Sequence, residues 1–388
     1  MSHNIYAIVG SFATKPNPDK GIRVYEYEPE QAQFTLVDSV HPEINAGQTY
    51  YNEEKDLFYI AHEAKGPDGE SCGGGRIFAG WFDHEKGRFA LVDEMATGAT
   101  LPCYLCLTSS GSYAVIAHHG TRNVVTKTKK QPDGSFRACV ECDDVVLALV
   151  KIREDGTFEA VCDICLHEPD YAEDGIMIQK IPHLHCCEMS PDGRLFISCD
   201  KGLDVLHRYH VDEDCGKIQY LGKTFVEEGV HPRYAKFHPT APVFYQDCEN
   251  SLYLHVWKYD SMSGELERVQ RVPVVFDQET AETFTLESAA DMVVAQDGRH
   301  LYCSVRGLDQ IAVFTVDKEG LLTLIQNISC YGKNPRGLSL SPDERYLFVM
   351  NRDSNTIVTY QRGADGKLME TGAELLCNMP ANMRFLSL

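Results

Sequence analysis

Seven copies of a hairpin-like segment run from one end of this chain to the other. Each copy reads as a strand, a short polar turn that often contains Gly, and a second strand, with apolar and polar residues alternating around the turn. The first copy is IRVYEYEPEQAQFTLVD and the last is TIVTYQRGADGKLMETG. A period of roughly 50 residues is typical of folds in which similar units bury their apolar faces against their neighbours.

A second repeated unit lies between the hairpins. It is a short strand, a turn such as SPDG, and an apolar strand that ends in a polar residue. The final residues of these apolar strands are Glu63, His118, Asp200, Glu249, Arg306 and Arg352. Their spacing is 46 to 57 residues except for one interval of 82, which an insertion within about residues 120–145 explains.

The two units together predict an all-β, seven-bladed β-propeller. Only six apolar strands accompany the seven hairpins, and IYAIVG (residues 5–10) fits the same template. We therefore expect the N-terminal strand to close the ring by pairing with the C-terminal blade. Residues 1–388 form a single domain in this interpretation, with almost no helix, and a generic β-sandwich is the alternative.

Composition narrows the possible partners and the compartment. The formal net charge is −21, which disfavours nucleic acid and anionic membranes as partners. The N-terminal MSHNIYAIVGSF lacks the basic start and long apolar run of a signal peptide. The 15 cysteines are scattered and odd in number, which favours reduced thiols and a cytoplasmic location. An oligomer is possible.

Residues at equivalent positions of the propeller predict a polar cluster in the central channel. The position four residues before each apolar-Ser-Pro-type turn is occupied by Cys103, His185, Arg233, Ala290 and Arg336. Combined with the strand-end residues, this register places His185, Arg233, Glu249, Arg306 and Arg336 near one mouth of the channel. Arginines suit a carboxylate or phosphate, and histidine can transfer a proton near neutral pH.

The same pattern allows two interpretations. Glu249 could orient His185, neutralise an arginine or carry a second proton, and the cluster would then be catalytic. Alternatively, the channel is polar and water-filled, and its Arg–Glu pairs only connect the blades, because a fold does not determine a function.

At these residues the chain resembles the lactonase family of seven-bladed propellers. This family includes the propeller-type 6-phosphogluconolactonases and the 3-carboxy-cis,cis-muconate lactonizing enzyme. The resemblance covers essentially the whole chain. The matching motifs are PHLH followed by SPDGR, CDKGLD (199–204) with Lys201 in place of Leu, HPRYAKFHP, QDCENSLYLHVW, AADMVVAQDGRHLYCSVR and NPRGLSLSPDERYLF.

The resemblance implies a catalytic set of His185, Arg233, Glu249 and Arg306. The residues expected to bind substrate around this set are Arg336, His183, Tyr104, Tyr234, Asp200 and Glu63. Tyr104, Tyr234 and Val293 stand where hydrolytic members often carry histidine, and these departures bear on the identity of the substrate.

The expected activity is hydrolysis of a small anionic, sugar-derived lactone, without a metal or an organic cofactor. A muconate-type lactonizing cycloisomerase is the alternative enzyme, and a non-catalytic propeller scaffold is the third possibility.

Cysteine pairs offer a competing interpretation. Cys139 and Cys142 are followed, after 19 residues, by Cys162 and Cys165, a spacing found in zinc ribbons. Against zinc, strand alternation is expected to direct Cys162 and Cys165 to opposite faces of their strand.

Overall fold

The computed structural model, which describes residues 5–13, 21–66, 72–172, 178–283 and 288–387, is a seven-bladed β-propeller. Seven four-stranded antiparallel sheets form the blades, as the repeats predicted. Helical structure in the described residues consists of α1 (Gln278–Thr283) and a 3₁₀ turn (Arg352–Ser354). No helix in these residues has the length and apolarity that a membrane span requires.

The strands follow one another outward from the channel in each blade. The closing blade uses β1 (Ile5–Ser11), β2 (Ile22–Glu28) and β3 (Gln33–Val40). Blade 1 contains β4 (Ala46–Asn52), β5 (Leu57–His62), β6 (Arg76–Asp83) and β7 (Arg88–Ala96). Blade 2 begins with β8 (Pro102–Leu107) and β9 (Tyr113–His118), a separate ribbon of β10 (Val124–Lys130) and β11 (Phe136–Cys142) follows, and β12 (Val145–Ile152) and β13 (Phe158–His167) complete it.

The remaining blades have the same order after a short ribbon of β14 (Asp170–Tyr171) and β15 (Ile178–Lys180). Blade 3 contains β16 (Glu188–Met189), β17 (Phe196–Asp200), β18 (Val205–Asp212) and β19 (Lys217–Phe225). Blade 4 contains β20 (Pro232–Phe237), β21 (Val243–Cys248), β22 (Tyr253–Tyr259) and β23 (Leu266–Pro273). Blade 5 contains β24 (Ala289–Val294), β25 (His300–Val305), β26 (Gln310–Val316) and β27 (Leu322–Ser329). Blade 6 contains β28 (Pro335–Leu340), β29 (Tyr346–Asn351), β30 (Thr356–Arg362) and β31 (Leu368–Leu376), and β32 (Pro380–Ser387) returns to the closing blade.

Ring closure joins the two ends of the chain, as expected from the sequence. Strand β1 pairs antiparallel with β32, from Ile5 opposite Ser387 to Ser11 opposite Pro380. The innermost strands also contact one another in turn around the complete circle. In a closed ring of this kind the inner edge of each sheet is protected, because every inner strand has a neighbouring blade on both sides.

The apolar core lies between the blades. Strands β5, β9, β21 and β25 are buried at every position, whereas the outermost strands β7, β19 and β31 alternate between buried or half-buried and exposed residues. This difference explains the sequence pattern, since a strand covered on both faces is continuously apolar and an edge strand covered on one face alternates.

A β-bulge near the start of most innermost strands sets the direction of one side chain per blade. In blades 1, 2, 5 and 6 the pairing register skips one residue, and in blade 4 it skips Arg233 together with Tyr234. Bulges of this kind re-aim a side chain. The residues at this position, which we call the bulge layer, are Gly47, Cys103, His185, Arg233, Ala290, Arg336 and Ala381.

A second set of residues lies at the mouth, one from each blade. The backbone N–H of each residue donates to the carbonyl that precedes the innermost strand of its blade, over 2.9–3.1 Å. The members, which we call the mouth ring, are Phe12, Glu63, His119, Lys201, Glu249, Arg306 and Arg352.

The mouth ring corrects the sequence-based register in two blades. His118 and Asp200 were expected in this ring, but the equivalent residues are His119 and Lys201, one position later. His118 is fully buried within blade 2, where its Nε2 lies 2.7 Å from Thr97 Oγ1. In these two blades the predicted strand was ended at a polar residue that lies one position before the residue of the ring.

Candidate active site

The bulge layer combines small residues with large polar ones in the channel. Four of its seven residues are small, namely Gly47, Cys103, Ala290 and Ala381, and the three large ones are His185, Arg233 and Arg336. A Cβ at Gly47 would lie 2.6 Å from Glu63 Oε2, so glycine leaves room for that carboxylate. The small residues thus leave the centre of the channel to one imidazole and two guanidinium groups.

Glu249 lies within ion-pair distance of three cations on one side of the mouth. Its Oε2 lies 2.5 Å from Lys201 Nζ, and its Oε1 lies 2.8 Å from Arg306 Nη2 and 3.7 Å from Arg233 Nε. Burial alone would raise the pKa of Glu249, but the charges of these three cations outweigh it and hold the pKa well below its usual range. Glu249 is therefore a carboxylate at neutral pH and does not act as a proton donor.

His185 is a buried and neutral imidazole. Burial, together with the positive charges of Arg233 and Lys201, holds its pKa well below the usual value, and Glu249 partly opposes this effect. Its ring meets the edges or faces of His119 and Tyr234 at centroid distances of 5.7 and 5.3 Å. Its Nδ1 has no hydrogen-bond partner among the described residues. A buried polar atom without a partner calls for an explanation, and a role in binding or catalysis is one.

Arg233 combines complete burial with unused donors. Its Nη1 donates to the carbonyl of Ala290, and its guanidinium carbon lies 4.3 Å from the centre of the Tyr234 ring. Its Nε and Nη2 have no hydrogen-bond partner within the described part of the chain. Because buried guanidinium groups normally satisfy their donors, this arrangement is suited to an anionic or carbonyl oxygen.

Arg306 is held against the inner strand of blade 5. Its Nε donates to the carbonyl of Ser288 over 3.2 Å, and its Nη2 donates to the carbonyl of Ala289 over 3.2 Å as well as to Glu249. Arg306 is 7% exposed, so these contacts fix a buried charge at the mouth.

The opposite side of the mouth has a second Arg–Glu pair with looser geometry. Arg336 Nη2 lies 3.5 Å from Glu63 Oε2, and the guanidinium carbon of Arg336 lies 3.9 Å from the centre of the Phe12 ring. Burial raises the pKa of Glu63, although Arg336 opposes this effect, and burial lowers the pKa of Arg336 to about 10.

A cavity of about 230 Å³ continues from Arg336 and Tyr234 into the channel. Tyr104 lines it, donating its hydroxyl to Glu188 and accepting a hydrogen bond of 2.7 Å from Lys236 Nζ. Tyr104 and Tyr234 meet at a centroid distance of 5.3 Å. Tyr104 and Tyr234 thus both line this cavity.

Asp200 and His183 bind the backbone beside the site. Asp200 Oδ1 accepts the backbone N–H groups of His183, Gly202 and Leu203 over 2.8–3.0 Å, and its Oδ2 lies 3.2 Å from His207 Nε2. His183 stacks on His119 at 4.5 Å. Asp200 therefore orders the segments that carry His185 and Lys201, and its oxygens are already occupied.

Lys201 was missed as a site residue by the sequence analysis, although a signal for it exists. The segment KGLD at 201–204 matches RGLD at 306–309, which aligns Lys201 with Arg306. The strand-end rule stopped one residue short at Asp200 and hid this equivalence.

The two cysteine pairs lie on different sheets. Cys139 and Cys142 are on the ribbon strand β11, whereas Cys162 and Cys165 are on β13 of blade 2. The expectation that Cys162 and Cys165 face opposite sides is wrong, because a bulge at Cys162 breaks the alternation and both pack against one apolar cluster. Among the described residues, no three His, Cys, Asp or Glu side chains are grouped as metal ligands.

Comparison with known proteins identifies the family. The family model described as "Lactonase, 7-bladed beta-propeller" matches residues 6–385. The 6-phosphogluconolactonase of Formosa agariphila is 24% identical over 388 residues, covering 98% of this chain and 99% of the relative. That of Bacillus subtilis is 23% identical over 338 residues, covering 86% and 85%. The structure of the periplasmic gluconolactonase PpgL from Pseudomonas aeruginosa is 22% identical, covers 99% of both chains and superposes with a TM-score of 0.82. The chain therefore belongs to the family of seven-bladed β-propeller lactonases.

Proposed function

We propose that this protein hydrolyses a small anionic sugar lactone, with 6-phosphogluconolactone as the first candidate. The observation that carries the proposal is that, within the described residues, Nδ1 of a neutral, buried His185 and two donors of Arg233 in the same channel have no hydrogen-bond partner. Two relatives that match most of the chain are named 6-phosphogluconolactonase, and this supports the same class of substrate.

His185 is the proposed proton carrier. As a neutral imidazole it removes a proton from the water molecule that attacks the lactone carbonyl, and the resulting imidazolium returns that proton to the ring oxygen as the C–O bond breaks. The negative charge of Glu249 favours the imidazolium, because it acts to raise the pKa of His185. The reaction consumes one water and produces one hydroxyl group and one carboxylic acid, which releases its proton to solvent and becomes a carboxylate.

Arg233 and Arg306 are the proposed electrostatic partners. The Nε and Nη2 of Arg233, which have no hydrogen-bond partner among the described residues, are proposed to bind the oxyanion of the tetrahedral intermediate, a contribution that is usually large in acyl transfer. Arg306, fixed by Glu249 and two carbonyls, binds the substrate anion. Arg336, Tyr104 and Tyr234 are proposed to contact the rest of the substrate, with Glu63 and His183 at the rim of the site.

Buried donors without partners lower the stability of a fold. A propeller that serves only as a scaffold has no reason to retain them, which disfavours the non-catalytic alternative. The muconate-type alternative has no support in the relatives described above, whose names refer to gluconolactones. We keep the cytoplasm as the proposed location, because scattered free thiols suit a reducing compartment.

The test is lactone opening in ¹⁸O-labelled water. The wild-type protein should open 6-phosphoglucono-δ-lactone far above the spontaneous rate and place one ¹⁸O in the new carboxylate, and Lys318→Ala, in the exposed turn between β26 and β27, should do the same. 3-Carboxy-cis,cis-muconate is the parallel substrate. Conversion of the muconate without ¹⁸O uptake, and with no acceleration of lactone opening, would contradict the proposal.

A further inference from the structure

Lys201 contributes a buried ammonium group that the proposed reaction scheme leaves without a role. Its side chain is 8% exposed, and Glu249 is the single hydrogen-bond acceptor for its Nζ among the described residues. An ammonium group has three N–H donors, so two of them remain for another acceptor. A buried charge with so few partners is unfavourable unless a ligand completes its shell.

The ammonium group of Lys201 extends from blade 3 to the carboxylate of Glu249 in blade 4. Its positive charge acts on His119 of blade 2, His185 of blade 3 and Glu63 of blade 1. Arg233 approaches the same carboxylate, Glu249, with two unpartnered donors of its own. Free N–H donors of Lys201 and Arg233 thus border the same carboxylate in a buried site.

We propose that Lys201 is a specificity-determining residue that binds an anionic oxygen of the substrate beside Arg233. The ligand class is a phosphate or carboxylate group on a polyhydroxylated chain, and uncharged polyols are excluded from this interaction. The inference rests on the proposed function for its biological meaning, but the binding site itself is independent of turnover.

The purely structural alternative is that Lys201 only holds Glu249 in place. The two roles give opposite results for Glu249→Gln. If Lys201 acts only through Glu249, then Glu249→Gln should weaken anion binding as much as Lys201→Met does. If Lys201 binds the anion directly, then Glu249→Gln should bind the anion as tightly as the wild type or more tightly, because a competing negative charge has been removed.

The experiment is calorimetric titration of the full chain with 6-phosphogluconate, gluconate, inorganic phosphate and sorbitol. Phosphate and gluconate separate the phosphate group from the carboxylate group as the source of binding. We expect Lys201→Met to weaken 6-phosphogluconate binding by about 10-fold or more, the effect of losing a charge-assisted hydrogen bond. Lys201→Arg should stay within about 3-fold of the wild type, since a cation is retained.

Several results would overturn the inference. They are wild-type affinity in Lys201→Met, an equal loss of sorbitol and 6-phosphogluconate binding, or a matching loss in Glu249→Gln. Lys201→Gln is the second variant, with the same expected loss, and thermal unfolding checks that each variant folds. Because no lactone is turned over, this result is distinguishable from a failure of the proposed hydrolysis.

Discussion

The mouth ring contains two glutamates, Glu63 and Glu249, at equivalent positions of different blades, and their surroundings are opposite. Glu249 meets three cations at 2.5–3.7 Å, and its pKa is held well below the usual range. Glu63 meets Arg336 at 3.5 Å, and burial raises its pKa. Repetition of the blade supplies the same backbone position twice, whereas the neighbouring side chains decide whether the pKa of the carboxyl group is raised or lowered.

The difference has a consequence for function. The Glu249 side, with His185, Arg233 and Arg306, combines a fixed negative charge, a neutral imidazole and unused donors. The Glu63 side presents one loosely paired arginine against an aromatic ring. We therefore expect bond-breaking chemistry on the Glu249 side and a supporting role in binding on the Glu63 side.

The largest expected effect is the loss of the proton carrier. His185→Ala should lower kcat for lactone hydrolysis by about 10²–10⁴-fold, the usual contribution of a general base. The matched control is His183→Ala, two residues away at the rim, which should lower kcat by less than about 10-fold because it removes no proton carrier. Steady-state kinetics of both variants is the measurement, and equal losses would contradict the assignment to His185.

Arginine substitution compares the two sides directly. Arg233→Met should lower kcat by about 10²–10³-fold, because it removes the oxyanion donors. Arg233→Lys should not restore the rate, since one ammonium cannot replace a planar guanidinium. Arg336→Met should mainly raise KM. If Arg336→Met lowered kcat as much as Arg233→Met did, the functional difference between the sides would be wrong.

The two glutamates should also differ in how they link stability to pH. Glu63 has a raised pKa, so the folded state opposes its ionisation and stability falls as the pH rises above 4.5, and Glu63→Gln should gain stability relative to the wild type over that range. Glu249 has a lowered pKa, so its contribution is present above pH 4.5 and is lost at lower pH, and Glu249→Gln should lose relative stability as the pH rises. Denaturant unfolding between pH 3 and 7 measures both slopes, that of Glu249 below pH 4.5 and that of Glu63 above it, and slopes of the same sign would refute the contrast.

The smallest expected effect concerns the rate near neutral pH. Because the pKa of His185 is held well below 6.5, the imidazole stays neutral and kcat/KM should be flat from pH 8 to 6.5. An acid limb should appear only below that range. A midpoint above pH 6.5 in the profile would show that His185 is not neutral in the free protein.

Much of the architecture was predictable from the sequence because each blade repeats the same pattern of apolar strands and polar turns. The hairpin period and the IYAIVG strand were sufficient to predict seven blades and ring closure. His185, Arg233 and Arg336 could be placed because they precede recognisable turns. These positions coincide with bulges, which no alternation rule anticipates but which repeat with the blades.

Other features depended on a one-residue register or on side-chain contacts. Lys201 was missed because the strand-end rule stopped at Asp200, and a shift of one residue moves a side chain to the other face. The same difficulty affected Cys162, where a bulge changed the face of the strand. The unequal pairing of Glu63 and Glu249 depends on distances between blades, and these cannot be read from spacing within one blade.

The most direct test compares the kcat of Glu249→Gln with that of Glu63→Gln in 6-phosphogluconolactone hydrolysis. Both substitutions are isosteric and remove one carboxylate from equivalent positions of the mouth ring. Glu249→Gln should lower kcat by about 100-fold, because the imidazolium of His185 loses its countercharge, and Glu63→Gln should stay within about 3-fold of the wild type. Equal losses in the two variants, or a larger loss in Glu63→Gln, would contradict the account.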